Sequence, residues 1–295
     1  MIQSLLMEAA LALAPTLPDL AIQSLARATA RVEFAFPSKR RRAVELNLSR
    51  IAGSGRLPGG PGRSLDGTAR AIFESYHRFM LEYLGQRSLD SRALESRFRF
   101  RGMEILYAAL TRGRGAIVSA PHVGNWELAG IALARLGHRV HVVTGVQFHA
   151  RLTGAARELK ERERILVSTP EDGFRPLLST LRRGGIVVLL TDGDVFVRSL
   201  ETEFFGYRVP FPVGPALLAR RALAPLLFAH AERGASGQGH VVVFDGMEAP
   251  DPALPVKEDL VRLTKRVAEF QERTIAANLD AWCVFRSVFP DGDAA

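Results

Sequence analysis

Two hydrophobic patterns divide the chain near residue 113. Before that point, apolar residues recur at helical spacing between Gly- and Pro-rich segments, which predicts a layer of helices. After it, short β-branched runs alternate with helical stretches, as in proteins whose central sheet is covered by helices. We therefore expect an α/β fold with a mixed central sheet, in a single domain over 1–295. Its helical, basic layer would cover 1–112 and its α/β core 113–290.

The predicted elements follow directly from these patterns. The N-terminal layer is expected to contain helices at 20–34, 37–51, 69–84 and 103–111. In the core, strands are predicted at 116–120, 140–144, 185–191, 225–230 and 240–244. The core helices are predicted at 125–136, 150–164, 174–183, 213–222 and 256–278.

The most informative stretch joins the first core strand to its helix. The apolar run 116–120 breaks at Pro121, and Asn125 is a good N-cap for the helical pattern that follows. His122 is thereby placed in a strand-to-helix loop and Glu127 in the first helical turn. Across such a junction the two titratable side chains are expected to meet.

A histidine beside a carboxylate is suited to general base catalysis. The unperturbed pKa of histidine, about 6.5, lets the ring take and return a proton near neutral pH, and a neighbouring carboxylate fixes its tautomer. Glu127 near a helix N-terminus would stay ionised. The alternative is structural: His122 would hydrogen-bond a backbone carbonyl and Glu127 would only decorate the helix. A serine nucleophile motif is absent, and the single cysteine, Cys283, excludes an intrachain disulfide.

Two blocks of the sequence resemble one known family. The segment His-Val-Gly-Asn-Trp-Glu, at 122–127, resembles the His-x4-Asp/Glu signature of the glycerolipid acyltransferase superfamily. The second block runs from Asp192-Gly193-Asp194 through 201–206 to 209–219, and it resembles the segments that follow in the bacterial lipid A biosynthesis (lauroyl/myristoyl) acyltransferase family. That family includes the phosphatidylinositol mannoside acyltransferases. The usual Asp-Gln-Asp of the family is Asp-Gly-Asp here.

This resemblance implies a fold, an activity and a set of site residues. The fold would be similar to that of glycerol-3-phosphate acyltransferase. The activity would be transfer of a fatty acyl chain from acyl-CoA or acyl-acyl carrier protein to a hydroxyl of a lipid or glycolipid, with His122 as base and Glu127 orienting it. Neither a metal nor an organic cofactor is implied, and too few further carboxylates surround Asp-Gly-Asp for a calcium loop. The substrate-binding residues implied are Asn125, Arg164, Asp192, Asp194, Gly206 and Gly214, the last at a helix start that is a candidate anion or oxyanion site.

Charge and hydropathy bear on partners and location. The formal net charge is +8, and residues 26–115 carry all of this excess while the rest of the chain is slightly acidic, so an anionic partner such as a lipid surface or acyl carrier protein is expected. Residues 1–14 are apolar but too short to span a bilayer, which leaves an interfacial helix or a helix packed on the domain. With the resemblance, these features predict a peripheral or monotopic protein on the cytoplasmic face of the bacterial inner membrane.

Two other functions fit parts of the sequence. A thioesterase or esterase would use the same cleft with water in place of the acceptor. A basic nucleic-acid-binding module would use the Arg-rich half of the chain, although its basic helices lack interleaved aromatic residues for stacking, so no nucleic acid is expected as a partner.

Overall fold

The fold is taken from a computed structural model that describes residues 17–57, 64–85, 97–145, 150–192, 198–234 and 239–289. The predicted interfacial segment 1–14 and the candidate residue Asp194 lie outside these ranges. No helix within them is both long and apolar enough to cross a lipid bilayer.

The described residues form nine α-helices and nine strands. The helices are α1 (Asp19–Ala35), α2 (Lys39–Gly53), α3 (Leu65–Gly85), α4 (Met103–Leu110), α5 (Trp126–Arg135), α6 (Ala150–Arg162), α7 (Arg175–Arg182), α8 (Gly214–Ala222) and α9 (Val256–Ala277). The strands are β1 (Phe98–Arg101), β2 (Ala116–Ala120), β3 (Val140–Val143), β4 (Leu166–Ser168), β5 (Ile186–Leu190), β6 (Ser199–Phe204), β7 (Tyr207–Pro212), β8 (Leu226–Arg233) and β9 (His240–Glu248).

Seven of these strands form one mixed sheet, which confirms the predicted fold class. Their order is β1-β9-β8-β2-β5-β3-β4, and β8, β2, β5, β3 and β4 all run parallel. The strand β9 runs antiparallel to β8, and β1 runs parallel to β9. The carboxyl ends of β2 and β5, its neighbour, therefore meet at one edge of the sheet.

Both faces of the sheet are buried under helices. Along β2 the side chain of Ile117 enters one hydrophobic core and that of Val118 enters the other, as the alternation of a strand requires. The first core also holds residues of α2, α7, α8 and α9, whereas the second holds residues of α4, α5 and α6. The helix α3 contributes Phe73 to the first core and Phe79 to the second, so it bridges the two layers.

Three strand features differ from the sequence prediction. The edge strand β1 belongs to the sheet although it precedes residue 113, and its Phe-Arg-Phe-Arg alternation covers only four residues. The edge strand β4 has only three residues, too few for a periodic signal. The hairpin β6–β7 turns at Phe205 and Gly206, both at positive φ, which matches a two-residue type I′ turn.

Candidate active site

The site lies at the carboxyl edge of the sheet, where β2 and β5 end side by side. In their parallel register Ala120 faces Leu190, and the amide of Thr191 extends the pairing by donating to the Ala120 carbonyl at 3.0 Å. Beyond this point the two chains turn away from the sheet. His122 and Asp192 are therefore brought together although 70 residues separate them.

The Asp192 carboxylate binds both the ring and the backbone of His122. Its Oδ1 lies 2.6 Å from Nδ1 of His122, and its Oδ2 accepts from the His122 amide at 2.7 Å. Because an ionised carboxylate can only accept, Nδ1 carries the proton and Nε2 is the basic nitrogen. No described residue hydrogen-bonds to Nε2, and the His122 side chain is 22% exposed. The ring is thus held in the tautomer that a general base needs.

Asp192 is fully buried but retains its charge. Burial raises the pKa of its carboxyl, but the neighbouring His122, the hydrogen bonds from the ring and amide of that residue, and the Trp282 indole together bring the pKa below its ordinary value. The indole Nε1 donates to Oδ2 at 2.8 Å. Three donors thus offset the loss of water around the buried charge.

A glycine and a short backbone bridge fix the loop that carries His122. Gly124 has a φ of +67°, and a Cβ at this position would lie 2.1 Å from the carbonyl oxygen of Ala231. Val123 forms an antiparallel bridge with Trp282, and the Cys283 amide donates to the His122 carbonyl at 2.8 Å. The loop is therefore held between β8 and the segment after α9.

A stack of aromatic side chains begins beside the partly exposed ring of His122. Trp126 meets it edge to face, with ring centroids 4.9 Å apart. Phe79 stacks on the far side of Trp126 at 4.2 Å, and Tyr83 stacks on Phe79 at 6.1 Å. The aromatic stripe of α3 thus reaches the site and supplies an apolar wall beside the base.

The predicted contact between Glu127 and His122 is wrong. Glu127 accepts a hydrogen bond from the Lys160 ammonium of α6 at 2.9 Å, and both side chains are almost completely buried. The first turn of α5 directs this carboxylate towards α6, while Asp192 occupies Nδ1 of His122. Glu127 therefore forms an interhelical ion pair. The place beside His122 that the sequence analysis assigned to Glu127 is taken by Asp192, which was predicted as a substrate-binding residue.

Asn125 is the N-cap that the sequence predicts, but its surroundings contradict a role in binding substrate. The residue is buried, its Oδ1 accepts from the Leu128 amide at 3.2 Å, and its Nδ2 donates to the Glu82 carboxylate at 3.3 Å. These bonds occupy both ends of the side-chain amide.

The remaining predicted residues fall in different places. Arg164 precedes β4, so it lies at the amino edge of the parallel strands, opposite His122, and its contact with the substrate stays a prediction. Gly206 is at the exposed tip of the β6–β7 hairpin, where its positive φ explains the glycine; substrate binding there stays a prediction. Gly214 begins α8, which packs on β2 and β8 and runs into the amino end of β8. The start of α8 is therefore directed towards the edge that carries His122.

The described residues also include a site residue that sequence reasoning missed. This residue is Trp282, whose indole donates to Asp192. Neither spacing nor periodicity links two residues that are 90 positions apart. Within the described ranges no group of three or more His, Cys, Asp or Glu side chains is arranged to hold a metal ion.

Comparisons with known proteins identify the family of this chain. A family model described as bacterial lipid A biosynthesis acyltransferase matches residues 2–290. Phosphatidylinositol mannoside acyltransferase of Mycobacterium tuberculosis is 30% identical over 258 residues, which cover 81% of this chain and 74% of that protein. The protein of the same name from Mycolicibacterium smegmatis is 27% identical over 212 residues, 66% of this chain and 64% of that protein. The resemblance drawn from the two sequence blocks is thus confirmed: this chain belongs to the bacterial lipid A biosynthesis acyltransferase family and is a lipid acyltransferase.

Proposed function

We propose that this acyltransferase moves a fatty acyl chain from the thioester of acyl-CoA or acyl-acyl carrier protein to a hydroxyl of a glycolipid. The names of the relatives favour a phosphatidylinositol mannoside as acceptor, and a lipid A precursor or a lysophospholipid-like acceptor is the next choice. The observation that carries the proposal is the His122–Asp192 pair, which leaves a basic nitrogen open beside an apolar wall.

The reaction moves one proton from the acceptor hydroxyl to the thiol that leaves. Nε2 of His122 takes the proton of the acceptor hydroxyl as its oxygen attacks the thioester carbon. The imidazolium that forms is stabilised by the Asp192 carboxylate at Nδ1. When the tetrahedral intermediate collapses, the C–S bond breaks and Nε2 returns the proton to the leaving thiolate. The products are an ester and a free thiol, and these reaction steps use no cofactor.

Two features of the site support the binding of the donor. The apolar wall of Trp126 and Phe79 would cover the start of an acyl chain whose thioester lies beside His122. The amino end of α8 at Gly214 is directed to the same edge, and the backbone N–H groups of Gly214 and Ala216 in its first turn would favour a developing oxyanion, whereas Pro215 has no N–H to offer. This assigns Gly214 a role through its backbone.

A membrane location fits the surface of the N-terminal helices. At the end of α1, Val32 and Phe36 are exposed, and Arg31 and Lys39 lie beside them in sequence, also exposed. Exposed apolar side chains flanked by cations favour an anionic lipid surface. We therefore place the enzyme, as a peripheral protein, on the cytoplasmic face of the inner membrane, where its lipid acceptor would be found.

The decisive experiment compares acyl transfer by the wild-type enzyme and by His122→Ala. Labelled acyl-CoA and acyl-acyl carrier protein are each offered with phosphatidylinositol mannosides, lipid A precursors or lysophospholipids in vesicles. We expect transfer by the wild type and a loss of at least about 10³-fold in the variant. His138→Ala is the matched control, because His138 follows α5 at the opposite edge of the sheet, and it should retain full activity.

Two results would contradict the proposal. Full acyl transfer by His122→Ala would show that His122 is not the general base. Release of free fatty acid by the wild type in the presence of every acceptor, with no acylated lipid, would show that water is the true acceptor and that the enzyme is a thioesterase.

A further inference from the structure

We propose that Trp282 is a positioning residue of the acyl transfer reaction, which fixes the Asp192 carboxylate so that it aligns the ring of His122. This inference rests on the proposed function, since it assumes that the His122–Asp192 pair is catalytic. Trp282 itself is buried, with 1% of its surface exposed, and it acts through Asp192.

The hydrogen bonds around Asp192 define one orientation of its carboxylate. Oδ2 accepts from the indole of Trp282 and from the amide of His122, at 2.8 and 2.7 Å. Oδ1 is then left to the imidazole Nδ1 at 2.6 Å. A carboxylate without the indole would keep a single donor on Oδ2, and its plane could rotate. The indole therefore fixes which oxygen faces the ring and in what direction.

The backbone around Trp282 also holds the loop of His122, the partner of Asp192. The amide of Cys283 donates to the carbonyl of His122 at 2.8 Å, and the amide of Gly124 donates to the carbonyl of Ala281 at 3.2 Å. Residues 281–283 thus bind the loop of His122 through the main chain and the side chain of Asp192 through the indole. A tryptophan that only filled space would not need the hydrogen bond from its indole to Asp192.

Removing the indole N–H should affect the reaction more than the binding of substrate. In Trp282→Phe the ring is largely kept, but Asp192 loses one of its three donors. We expect kcat to fall roughly 10- to 100-fold, with KM within about twofold of the wild-type value, because the ring of His122 would lose its fixed orientation. An Asp192 carboxylate with one donor fewer also holds a proton more strongly. The acid limb of the pH–rate profile should therefore move to higher pH.

The matched control is a buried aromatic of the same core that does not touch the pair. Phe289 packs against Phe204, Phe205 and Tyr207. Phe289→Leu should reduce stability and leave both kcat and the pH profile unchanged. The double variant Asp192→Asn/Trp282→Phe should be no slower than Asp192→Asn alone, since Trp282 acts only through that carboxylate.

A second measurement does not depend on activity. The chain contains two tryptophans, so an amide ¹H–¹⁵N spectrum shows two indole signals, which Trp126→Phe assigns. The Trp282 indole proton should resonate downfield, exchange slowly with solvent, and move upfield in Asp192→Asn. An indole signal that Asp192→Asn leaves in place would overturn the proposal. So would a folded Trp282→Phe with wild-type kcat and pH profile.

The two proposals fail in different ways. If His122→Ala abolishes transfer but Trp282→Phe is fully active, the positioning role is wrong and the proposed function stands. If His122→Ala is active, the proposed function is wrong and the positioning role with it, even where the indole signal confirms the hydrogen bond.

Discussion

Asp192 and Glu127 are two buried acids near the same loop, and they have different partners. Asp192 follows β5 and binds His122, whose Nε2 is open to the site. Glu127 lies in the first turn of α5, only a few residues after His122, and binds Lys160 of α6. The acid that is distant in sequence meets the histidine, because parallel neighbouring strands deliver their loops to one edge.

The two pairs also differ in what their charges do. The cation beside Asp192 would exist only when His122 is protonated, so this pair can change its charge during a reaction. Lys160 and Glu127 form a permanent ion pair that joins α5 to α6 and supports the position of the helix that follows the loop. Under the proposed function, Asp192 assists the chemistry and Glu127 supports the scaffold. The first two of the following measurements test this division directly.

The largest expected effect is on catalysis by Asp192→Asn. Because the Trp282 indole and the His122 amide both need an acceptor, the asparagine would turn its carbonyl to them and its NH₂ group to Nδ1, which favours the tautomer whose Nε2 carries the proton. We expect kcat to fall about 10³-fold, in line with the loss of an orienting carboxylate in other His–Asp pairs. Glu127→Gln is the matched control and should remain within about tenfold of the wild type. Equal losses in steady-state assays of the two variants would refute the division of roles.

The second expected effect is on stability, and the order of the two acids is reversed. Glu127→Gln or Lys160→Met leaves one buried charge without its partner, and each should lower the free energy of unfolding by about 3 to 5 kcal/mol. The double variant should recover part of this loss. The control is Glu161→Gln, which breaks the exposed pair with Arg157 on the same helix and should change stability by less than about 1 kcal/mol. Urea unfolding measures all four proteins, and an unchanged midpoint for Glu127→Gln would contradict the scaffold role.

A smaller effect is expected from the glycine that shapes the histidine loop. Gly124→Ala adds a Cβ at positive φ and against the Ala231 carbonyl. Gly137→Ala, at the other end of α5, adds one at positive φ but into open space. Both should be destabilised by strain of about 1 kcal/mol, and Gly124→Ala by a further 1 to 3 kcal/mol. Thermal unfolding gives the difference, and activity should fall only in Gly124→Ala. Indistinguishable variants would show that the loop is not tightly held.

The smallest effect concerns the pH dependence of stability. Because the pKa of Asp192 is lowered in the folded protein, its charge stabilises the fold above the ordinary aspartate pKa, and this stabilisation is lost as the pH falls through the folded value. Urea unfolding of the wild type and Asp192→Asn from pH 7 to pH 3 should therefore show curves that converge on the acid side. Curves that stay parallel would mean that the Asp192 charge does not contribute.

The sequence predicts the core elements well because they are long or strongly apolar. The strand β2 was predicted with its observed bounds, and α5 was predicted with its cap, Asn125. Edge strands were missed for a physical reason: β1 and β4 are short and partly exposed, so no continuous apolar run marks them.

The site itself was only half predictable. A loop histidine after a buried strand carries a local signal, and His122 was found by it. Its partner depends on which strand lies beside β2, and that is decided by tertiary packing. The helical position of Glu127 suggested a contact that the direction of the first turn of α5 does not allow. The position of Trp282 beside Asp192 depends on the path of the chain after α9, and no local pattern in the sequence predicts that path.

The bridge between Val123 and Trp282 has a consequence for the order of events during synthesis. A ribosome adds about 5 to 20 residues per second, so Trp282 is made on the order of ten seconds after His122. Until then the histidine loop has no strand to pair with, and Asp192 has no indole donor. A nascent chain would thus carry the histidine and its acid without a fixed alignment. Under the two proposals, the full rate of acyl transfer is expected only from chains in which residues 281–283 have joined the fold.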